Sequence, residues 1–294
     1  YLLTVGDLDR SLAFYRDVLG LTVLRAATAA GVNPDIERLT STPGALFHSA
    51  ALQLPDAAPP LVLMQFTRVD RRRLRPHLVD PGAVMLDVRV AQLDGVIEAA
   101  RRFGTQLLTP ADRFVTPGGA ERSVVLIDPD GFYVRVRQTV RAPEGTAASA
   151  AGDGSAAARL VFTVAEPGPV LRFYRGVLGL SVESGAPNRD RDLDRLIGAP
   201  GAHRTLLRTR AGDAELQFAV YTGVPRHTYL LRPQDPGAAG ASLRVADLAA
   251  AMRRIRAAGV RIVSAGGQPV LSAQHRRAIL IRDPAGLLLE LVQR

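Results

Sequence analysis

One segment occurs twice in this chain, and that repeat constrains the fold more than any other feature. The segment LAFYRDVLGLTV, which begins at Leu12, returns as LRFYRGVLGLSV from Leu171. The segment DPGA at Asp80 returns at Asp235, and LIDPDGFYVRVRQ from Leu126 returns as LIRDPAGLLLELVQ from Leu280. Because internal repeats reflect repeated structural units, the two halves of the chain are predicted to be copies of one another.

Each half divides again at its DPGA segment, since both quarters show the same order of signals. In the second quarter, the alternation from Met85 to Val90 predicts a strand, and the stretch from Leu93 to Phe103 follows at helical spacing. The turns that begin at Asp128 and Asp283 carry proline second and glycine fourth, which is typical of type I turns between strands. The sequence therefore predicts a βαβββ module that is used four times.

Domain boundaries follow from a low-complexity segment near the middle of the chain. Residues 141–158 are rich in alanine, glycine and serine, and they predict a flexible linker. The chain length of 294 residues favours two domains. The expected α+β organisation is a first domain over 1–140 (modules at about 1–70 and 80–140), the linker, and a second domain over 159–294 (modules at about 159–224 and 235–294).

Composition excludes several kinds of chemistry and partner. With no cysteine, the chain has no disulfides, thiolate metal ligands or cysteine nucleophiles. The net charge of +9 comes from arginine alone, without interleaved aromatic residues, so we expect no nucleic-acid partner. No apolar run is long enough to span a membrane and no signal peptide is visible, so a soluble, cytoplasmic monomer or homodimer that binds a small molecule is expected.

The repeated motifs resemble those of the vicinal oxygen chelate superfamily, which includes glyoxalases, extradiol dioxygenases and bleomycin- and fosfomycin-resistance proteins. The resemblance rests on the pattern from Val5 to Leu21, its weaker copy from Val164 to Leu180, and the two Asp-Pro-x-Gly turns. It covers nearly the whole chain apart from the linker. It implies that two modules close into one cupped mixed sheet, a half-barrel, around a cavity. We therefore expect each half of the chain to form one half-barrel.

The resemblance also implies where a metal would be bound. Members that use a metal take a histidine or similar residue early on the first strand of each module and a glutamate on the last strand. The corresponding positions here fall just before Tyr1 and at Met85, Arg159 and Gly240 for first strands, and at Val62 or Leu63, Arg135, Glu215 and Glu290 for last strands. Methionine, arginine and glycine are poor ligands for a hard divalent ion. No cofactor is expected, and a divalent metal, if bound, would take Glu215 and Glu290.

Strand alternation predicts the cavity wall of the first half, because residues two apart share a face. This wall is polar and net positive and carries Thr4, Met85, Asp87, Arg89, Tyr133, Arg135 and Arg137. Guanidinium groups suit the bidentate capture of a carboxylate, phosphate or enolate, with Tyr133 stacking or donating a hydrogen bond. Alternatively, Asp87 pairs with Arg135 or Arg89 to satisfy a buried charge. His48 either points into this cavity or belongs to the core or surface.

The same rule predicts a different wall in the second half, which carries Arg159, Val161, Thr163, Gly240, Ser242, Arg244, Glu290, Glu215 and Gln217. Two facing carboxylates would raise each other's proton affinity, so Glu290, assisted by Glu215, is a candidate general base. Alternatively, Arg159 pairs with Glu290 and fills the cavity. The segments that begin at Asn33 and Asn188 carry helix-capping signals and are predicted to form lids.

Three functions remain open on the sequence alone. The first is a metal-independent isomerase or lyase that binds an anionic or oxygen-rich organic molecule and uses a carboxylate base. The second is a non-catalytic protein that sequesters a drug or metabolite. The third is a glyoxalase-like lyase or an extradiol dioxygenase that depends on a divalent metal.

Overall fold

A computed structural model describes residues 1–27, 29–108, 121–139, 158–187, 199–212, 214–271 and 276–294 of the chain. Residues 141–157 of the predicted linker and the predicted lid that begins at Asn188 lie outside the described residues. Within the described ranges, no helix combines the length and apolar character needed to cross a membrane.

Four modules follow one another along the chain. The first contains β1 (Leu2–Thr4), α1 (Leu8–Ala13) with a π-helical continuation (Phe14–Val18), β2 (Thr22–Arg25), β3 (Gly31–Val32), α2 (Pro34–Thr40), β4 (Leu46–Gln53) and β5 (Leu61–Thr67). The second contains β6 (Val84–Arg89), α3 (Leu93–Phe103), β7 (Gln106–Leu107), β8 (Glu121–Ile127) and β9 (Tyr133–Thr139).

The third and fourth modules repeat this order. The third contains β10 (Ala158–Val164), α4 (Pro167–Leu171) with a π-helical continuation (Arg172–Val177), β11 (Val182–Ser184), β12 (His203–Ala211) and β13 (Ala214–Thr222). The fourth contains β14 (Ala239–Val245), α5 (Leu248–Ala257), β15 (Arg261–Ile262), β16 (Val270–Leu271), β17 (Arg277–Arg282) and β18 (Leu288–Gln293). Each module therefore has a strand, a helix and at least three further strands, and the α+β prediction is confirmed.

The modules pair across the two halves of the chain. Sheet I joins the first and fourth modules in the order β15-β17-β18-β14-β1-β5-β4-β2. Sheet II joins the second and third modules in the order β11-β12-β13-β10-β6-β9-β8-β7. At the centre of each sheet the first strands of two modules are antiparallel neighbours, β1 with β14 and β6 with β10. The expectation that each half forms its own half-barrel is therefore wrong, because residues 68–83 carry the chain from one sheet to the other.

The crossings between the sheets are fixed by the aspartates of the two DPGA segments. The Asp80 carboxylate accepts hydrogen bonds from the backbone N–H groups of His77 and His227, both at 2.8 Å. The Asp235 carboxylate accepts from the backbone N–H groups of Arg72 and Arg232, also at 2.8 Å. Each aspartate therefore ties the crossing of its own half to that of the other half. This pairing explains why the DPGA segment is repeated.

The helices pack between the sheets in a core that is continuous across all four modules. The rings of Phe14 and Phe103 contact each other with a centroid distance of 5.8 Å, and they join the helical segments of the first and second modules. The two modules of the first half therefore pack against each other through their helices, although their strands belong to different sheets.

The two repeated motifs, Phe-Tyr and Asp-Pro-x-Gly, meet inside this core. The Tyr15 hydroxyl donates to the Asp128 carboxylate at 2.9 Å, and the Tyr174 hydroxyl donates to Asp283 at 2.8 Å. Burial raises the pKa of Asp128 to about 7 and that of Asp283 to about 6. Each tyrosine thus supports an aspartate that is costly to ionise in the folded chain.

We expect Tyr15→Phe to lower the free energy of unfolding by about 1–3 kcal/mol, because a buried carboxylate loses a donor. The hydroxyl favours the ionised form of Asp128, so its loss raises the folded-state pKa of Asp128 further. The loss of stability is therefore larger at pH 8 than at pH 5. Urea denaturation at both pH values measures this difference. Tyr229→Phe, outside the core, serves as the control, and equal stability of Tyr15→Phe and the parent chain at pH 8 would contradict the assignment.

Candidate functional site

The concave face of sheet II carries a cluster of ion pairs around Asp87. Asp87 on β6 is buried, and Arg159 on the neighbouring β10 lies directly opposite it. The Nη2 atom of Arg159 is 3.0 Å from Asp87 Oδ2, and the Nε–H group of Arg137 donates to Asp87 Oδ1. Arg135 approaches the same carboxylate at 4.0 Å. Three arginines therefore surround one aspartate.

These arginines keep Asp87 ionised. Burial by itself would raise the pKa of Asp87, but the positive charges of Arg135, Arg159 and Arg137 outweigh it and hold the pKa below its usual range. The structure therefore contains the expected ion pair between Asp87 and Arg135, which balances the buried charge.

Two glutamates complete the ion-pair cluster. Glu121 on β8 accepts a hydrogen bond from Arg137 Nη1 at 2.8 Å and lies 3.9 Å from Arg135 Nη2. Glu215 on β13 is buried, and it accepts from Gln217 Nε2 at 2.9 Å and from Arg210 Nη2 at 3.2 Å. Both carboxylates are thus engaged by neighbouring donors, which disfavours the use of Glu215 as a free base.

A cavity of about 190 Å³ lies beside this cluster. Charged side chains dominate its wall, which carries Arg135, Arg137, Arg159, Arg204 and Arg208 against Asp87 and Glu121, a formal surplus of three positive charges. Among the described residues, the buried Arg135 Nε and Arg159 Nη1 atoms have no hydrogen-bond partner, and Arg159 Nη1 lies 3.9 Å from Glu215 Oε1. Because unpartnered buried donors are costly, the wall is suited to an anion that would accept hydrogen bonds from them.

The remaining predicted residues of this face lie at its margins. Tyr133 belongs to an apolar cluster with Met85, and its hydroxyl donates to the Pro76 carbonyl at 3.3 Å. Burial raises the pKa of Tyr133. Arg89 ends β6 opposite Arg137 and does not line the cavity. Met85 closes the apolar end of the cavity.

Sheet I encloses a smaller cavity, of about 90 Å³, with a largely apolar wall. Glu290 is the only charged residue that lines it within the described ranges. Burial raises the pKa of Glu290, and a hydrogen bond from Ser242 acts in the opposite direction. The predicted lid at Asn33 forms α2, whose Ile36 and Leu39 line the cavity. The Asn33 side chain caps this helix by accepting from the Asp35 and Ile36 N–H groups at 3.1 Å.

The pairing of modules across the halves overturns several expected contacts. Glu215 lies in sheet II and Glu290 in sheet I, so the expected pair of facing carboxylates does not form. The expected ion pair between Arg159 and Glu290 is wrong for the same reason. Thr4 lines the sheet I cavity and not the arginine-rich one.

Two further residues lie away from the cavities. His48 shares its face of β4 with Ala50 and Leu52, which pack in the core beside the helices, so it does not point into a cavity. Arg244 is exposed on β14 and does not line the sheet I cavity.

The family model of the Glyoxalase/Bleomycin resistance protein/Dioxygenase superfamily matches residues 1–136 and 157–291. This chain belongs to that superfamily. Glyoxalase I from Zea mays has a similar structure, with a TM-score of 0.65 at 16% identity, covering 99% of this chain and 90% of that chain. A candidate dioxygenase from Bacillus subtilis subsp. subtilis str. 168 has a TM-score of 0.57 at 15% identity, covering 99% and 83%. At these identities the likeness concerns the fold. No curated protein matches the sequence significantly.

The strand register can be compared with the metal-ligand positions that the resemblance implies for each module. In the fourth module, Gly240 marks the first-strand position, and Glu290 pairs with Ser242, two residues further on. In the second module, the residue two positions after Met85 is Asp87, and its partner on β9 is Arg135. In the third module, the residue two positions after Arg159 is Val161, and its partner on β13 is Gln217. In the first module, the corresponding pair is Leu2 on β1 and Val62 on β5. By the offset that relates Glu290 to Gly240, the residue equivalent to Glu290 on β13 is Gln217, two residues after Glu215.

These residues do not fit a divalent cation. In sheet II the four positions are Met85, Arg135, Arg159 and Gln217, two of which are themselves cations. In sheet I the positions within the described residues are Val62, Gly240 and Glu290, of which Glu290 offers a strong ligand. A side chain at Gly240 would place its Cβ 2.6 Å from the Leu288 carbonyl oxygen. Among the described residues no group of three or more potential ligands converges.

Three charged residues of the arginine-rich cavity were missed by sequence reasoning. Glu121, Arg204 and Arg208 lie on β8 and β12, each the second strand from an edge of sheet II. The spacing of Arg204, Leu206 and Arg208 shows that they share one face of a strand. Only the pairing of the second module with the third brings that face toward Asp87.

We expect Asp87→Asn to lower the free energy of unfolding by about 3–5 kcal/mol at pH 7, because buried guanidinium groups lose their shared counter-charge. The depressed folded-state pKa adds stability above the unfolded pKa of about 3.9, and this stability is lost as the pH falls through the folded value. The difference from the parent chain should therefore shrink in acid.

Urea denaturation across a pH series checks this prediction. Asp94→Asn, which changes an exposed ion pair with Arg122, is the matched control and should have a much smaller effect. A stability loss for Asp87→Asn no greater than that of the control would refute the buried cluster.

Proposed function

We propose that this chain binds a small, oxygen-rich organic anion in the arginine-lined cavity of sheet II, without a metal. The observation that carries the proposal is that two buried donors, Arg135 Nε and Arg159 Nη1, have no hydrogen-bond partner among the described residues and lie on a wall with surplus positive charge. A carboxylate or phosphate would accept hydrogen bonds from both and would neutralise part of the surplus.

The cavity has a fixed charge pattern before any ligand arrives. Asp87 holds Arg159 and Arg137 in place through its two carboxylate oxygens, and Arg135 contacts its ion-pair partners only at 3.9 Å and 4.0 Å. Of the three arginines around Asp87, Arg135 is therefore the one with the most remaining capacity to bind an anion. The ligand would meet donors that are already positioned, which reduces the entropic cost of binding.

Binding without turnover is the form of this function that the cavity favours. Asp87, Glu121 and Glu215 all form ion pairs with arginine, so none of them is suited to accept a proton from a bound ligand. This supports sequestration of a metabolite or drug, from which the ligand would be recovered unchanged. A metal-dependent lyase or dioxygenase reaction is not proposed, because the residues at the ligand positions do not fit a divalent cation.

Proton transfer with Glu290 as the base is a second candidate function, located in the sheet I cavity. It is favoured by the burial of Glu290, which raises its pKa toward the range in which a carboxylate can accept and return a proton. An isomerase or lyase reaction would there depend on Glu290 without assistance from Glu215.

Titration with malonate tests the anion site, with the neutral malonamide as the matched ligand. We expect malonate to bind at low ionic strength and malonamide not to bind, as measured by isothermal titration calorimetry. Arg135→Met should weaken malonate binding about tenfold or more, because a charge-assisted hydrogen bond is lost. Arg102→Met, on an exposed helix surface, should bind malonate like the parent chain. Equal affinity of the Arg135→Met variant and the parent would refute the proposed site.

A further inference from the structure

We propose that the sheet I cavity is a second ligand site, which takes a short aliphatic primary amine with its ammonium group on Glu290 and its hydrocarbon chain inside the cavity. This inference goes beyond the anion site and is independent of it, because the two cavities belong to different sheets.

The interior of this cavity suits a hydrocarbon chain. The rings of Phe47 and Phe66 contact each other at 5.3 Å, and Met64 extends the apolar wall. Two threonine hydroxyls also line the cavity, but both donate to backbone carbonyls: Thr4 to Pro233 at 2.8 Å and Thr40 to Ile36 at 2.6 Å. The interior is therefore better matched by methylene groups than by a polar ligand.

Glu290 stands at the opening of the cavity. On β18 it lies between Ser242 of β14 and Leu280 of β17, and Ser242 is exposed whereas Leu280 is buried. A carboxylate that loses water on one side is stabilised by a cation that donates hydrogen bonds to it. A ligand with its charge at the opening and its chain inward would satisfy both parts of the wall.

The N-terminal ammonium of Tyr1 is the protein cation that acts on Glu290 among the residues described. Burial raises the pKa of Glu290 and the charge of this ammonium acts in the opposite direction, but the ammonium donates to the Pro60 carbonyl at 2.7 Å. The Arg282 guanidinium, on the neighbouring β17, donates to the carbonyls of Gly286 and Leu231 at 2.7 Å and 2.5 Å. Arg244, further along β14, is exposed, and neither arginine lines the cavity. Among the described residues Glu290 is therefore the one charged group of the cavity wall, and a ligand ammonium group would complement it.

Cavity size sets the length of the ligand. The volume of about 90 Å³ is smaller than the cavity of about 150 Å³ that accommodates benzene in a protein core. A linear chain of about four carbons is the size that this comparison supports. The expected ligand class is therefore a primary amine of the size of n-butylamine.

Saturation-transfer NMR titrations of the full chain with n-butylamine and with 1-butanol test this inference, because the two probes differ only in the head group. The chain has no tryptophan, so ligand-observed NMR is preferred to intrinsic fluorescence. We expect n-butylamine to bind about tenfold more tightly than 1-butanol, as a charge-assisted hydrogen bond would require. In Glu290→Gln this preference should disappear while 1-butanol binding is retained.

Glu98→Gln makes the same chemical change on the exposed surface of α3 and should leave both affinities unchanged. Circular dichroism and the retained 1-butanol binding confirm that the Glu290→Gln variant is folded. The inference is overturned if neither probe binds, if the parent chain binds the two probes equally, or if Glu290→Gln binds n-butylamine as tightly as the parent.

Discussion

The cross-strand pair of Arg159 and Asp87 is the contact on which the arrangement of sheet II depends. It forms because β6 and β10, the first strands of the second and third modules, are antiparallel neighbours at the centre of the sheet. That pairing places an arginine from one half of the chain against an aspartate from the other, in a buried position where either charge alone would be strongly unfavourable. Arg137, Arg135 and Glu121 then join the same network from the flanking strands. The module exchange and the charge pattern of the cavity therefore support each other.

The chain keeps the cupped sheets of the glyoxalase superfamily but has different chemistry at their centres. Sheet II presents guanidinium, thioether and amide groups at the positions that could hold a cation, and sheet I presents a single carboxylate and a glycine. The first cavity is polar and positively charged, and the second is apolar with one acidic group. The two proposed sites, built from the same module in one chain, would therefore take ligands of opposite charge.

Much of the fold follows from local sequence signals. The repeat, the alternation in β6 and the Asp-Pro-x-Gly turns predict the modules, and the spacing of Asp87, Arg135 and Arg137 predicts a positively charged wall. The partner of each module could not be predicted in the same way, because that choice depends on the path of the chain between the sheets, which hydrogen bonds of Asp80 and Asp235 fix. The wrong expectation that Glu215 and Glu290 face each other comes from this cause, because the two residues lie in different sheets.

The central claim is that an anion takes the place beside Asp87 where related folds could hold a cation. Crystals grown with selenate, measured at the selenium absorption edge, test it most directly, because anomalous scattering locates the anion without reference to the protein. We predict a selenium peak about 4 Å from Arg135 Nε and Arg159 Nη1, which places selenate oxygens within hydrogen-bond distance of both donors. A cavity without such a peak, or one in which a divalent cation is bound by the same residues, would contradict the account.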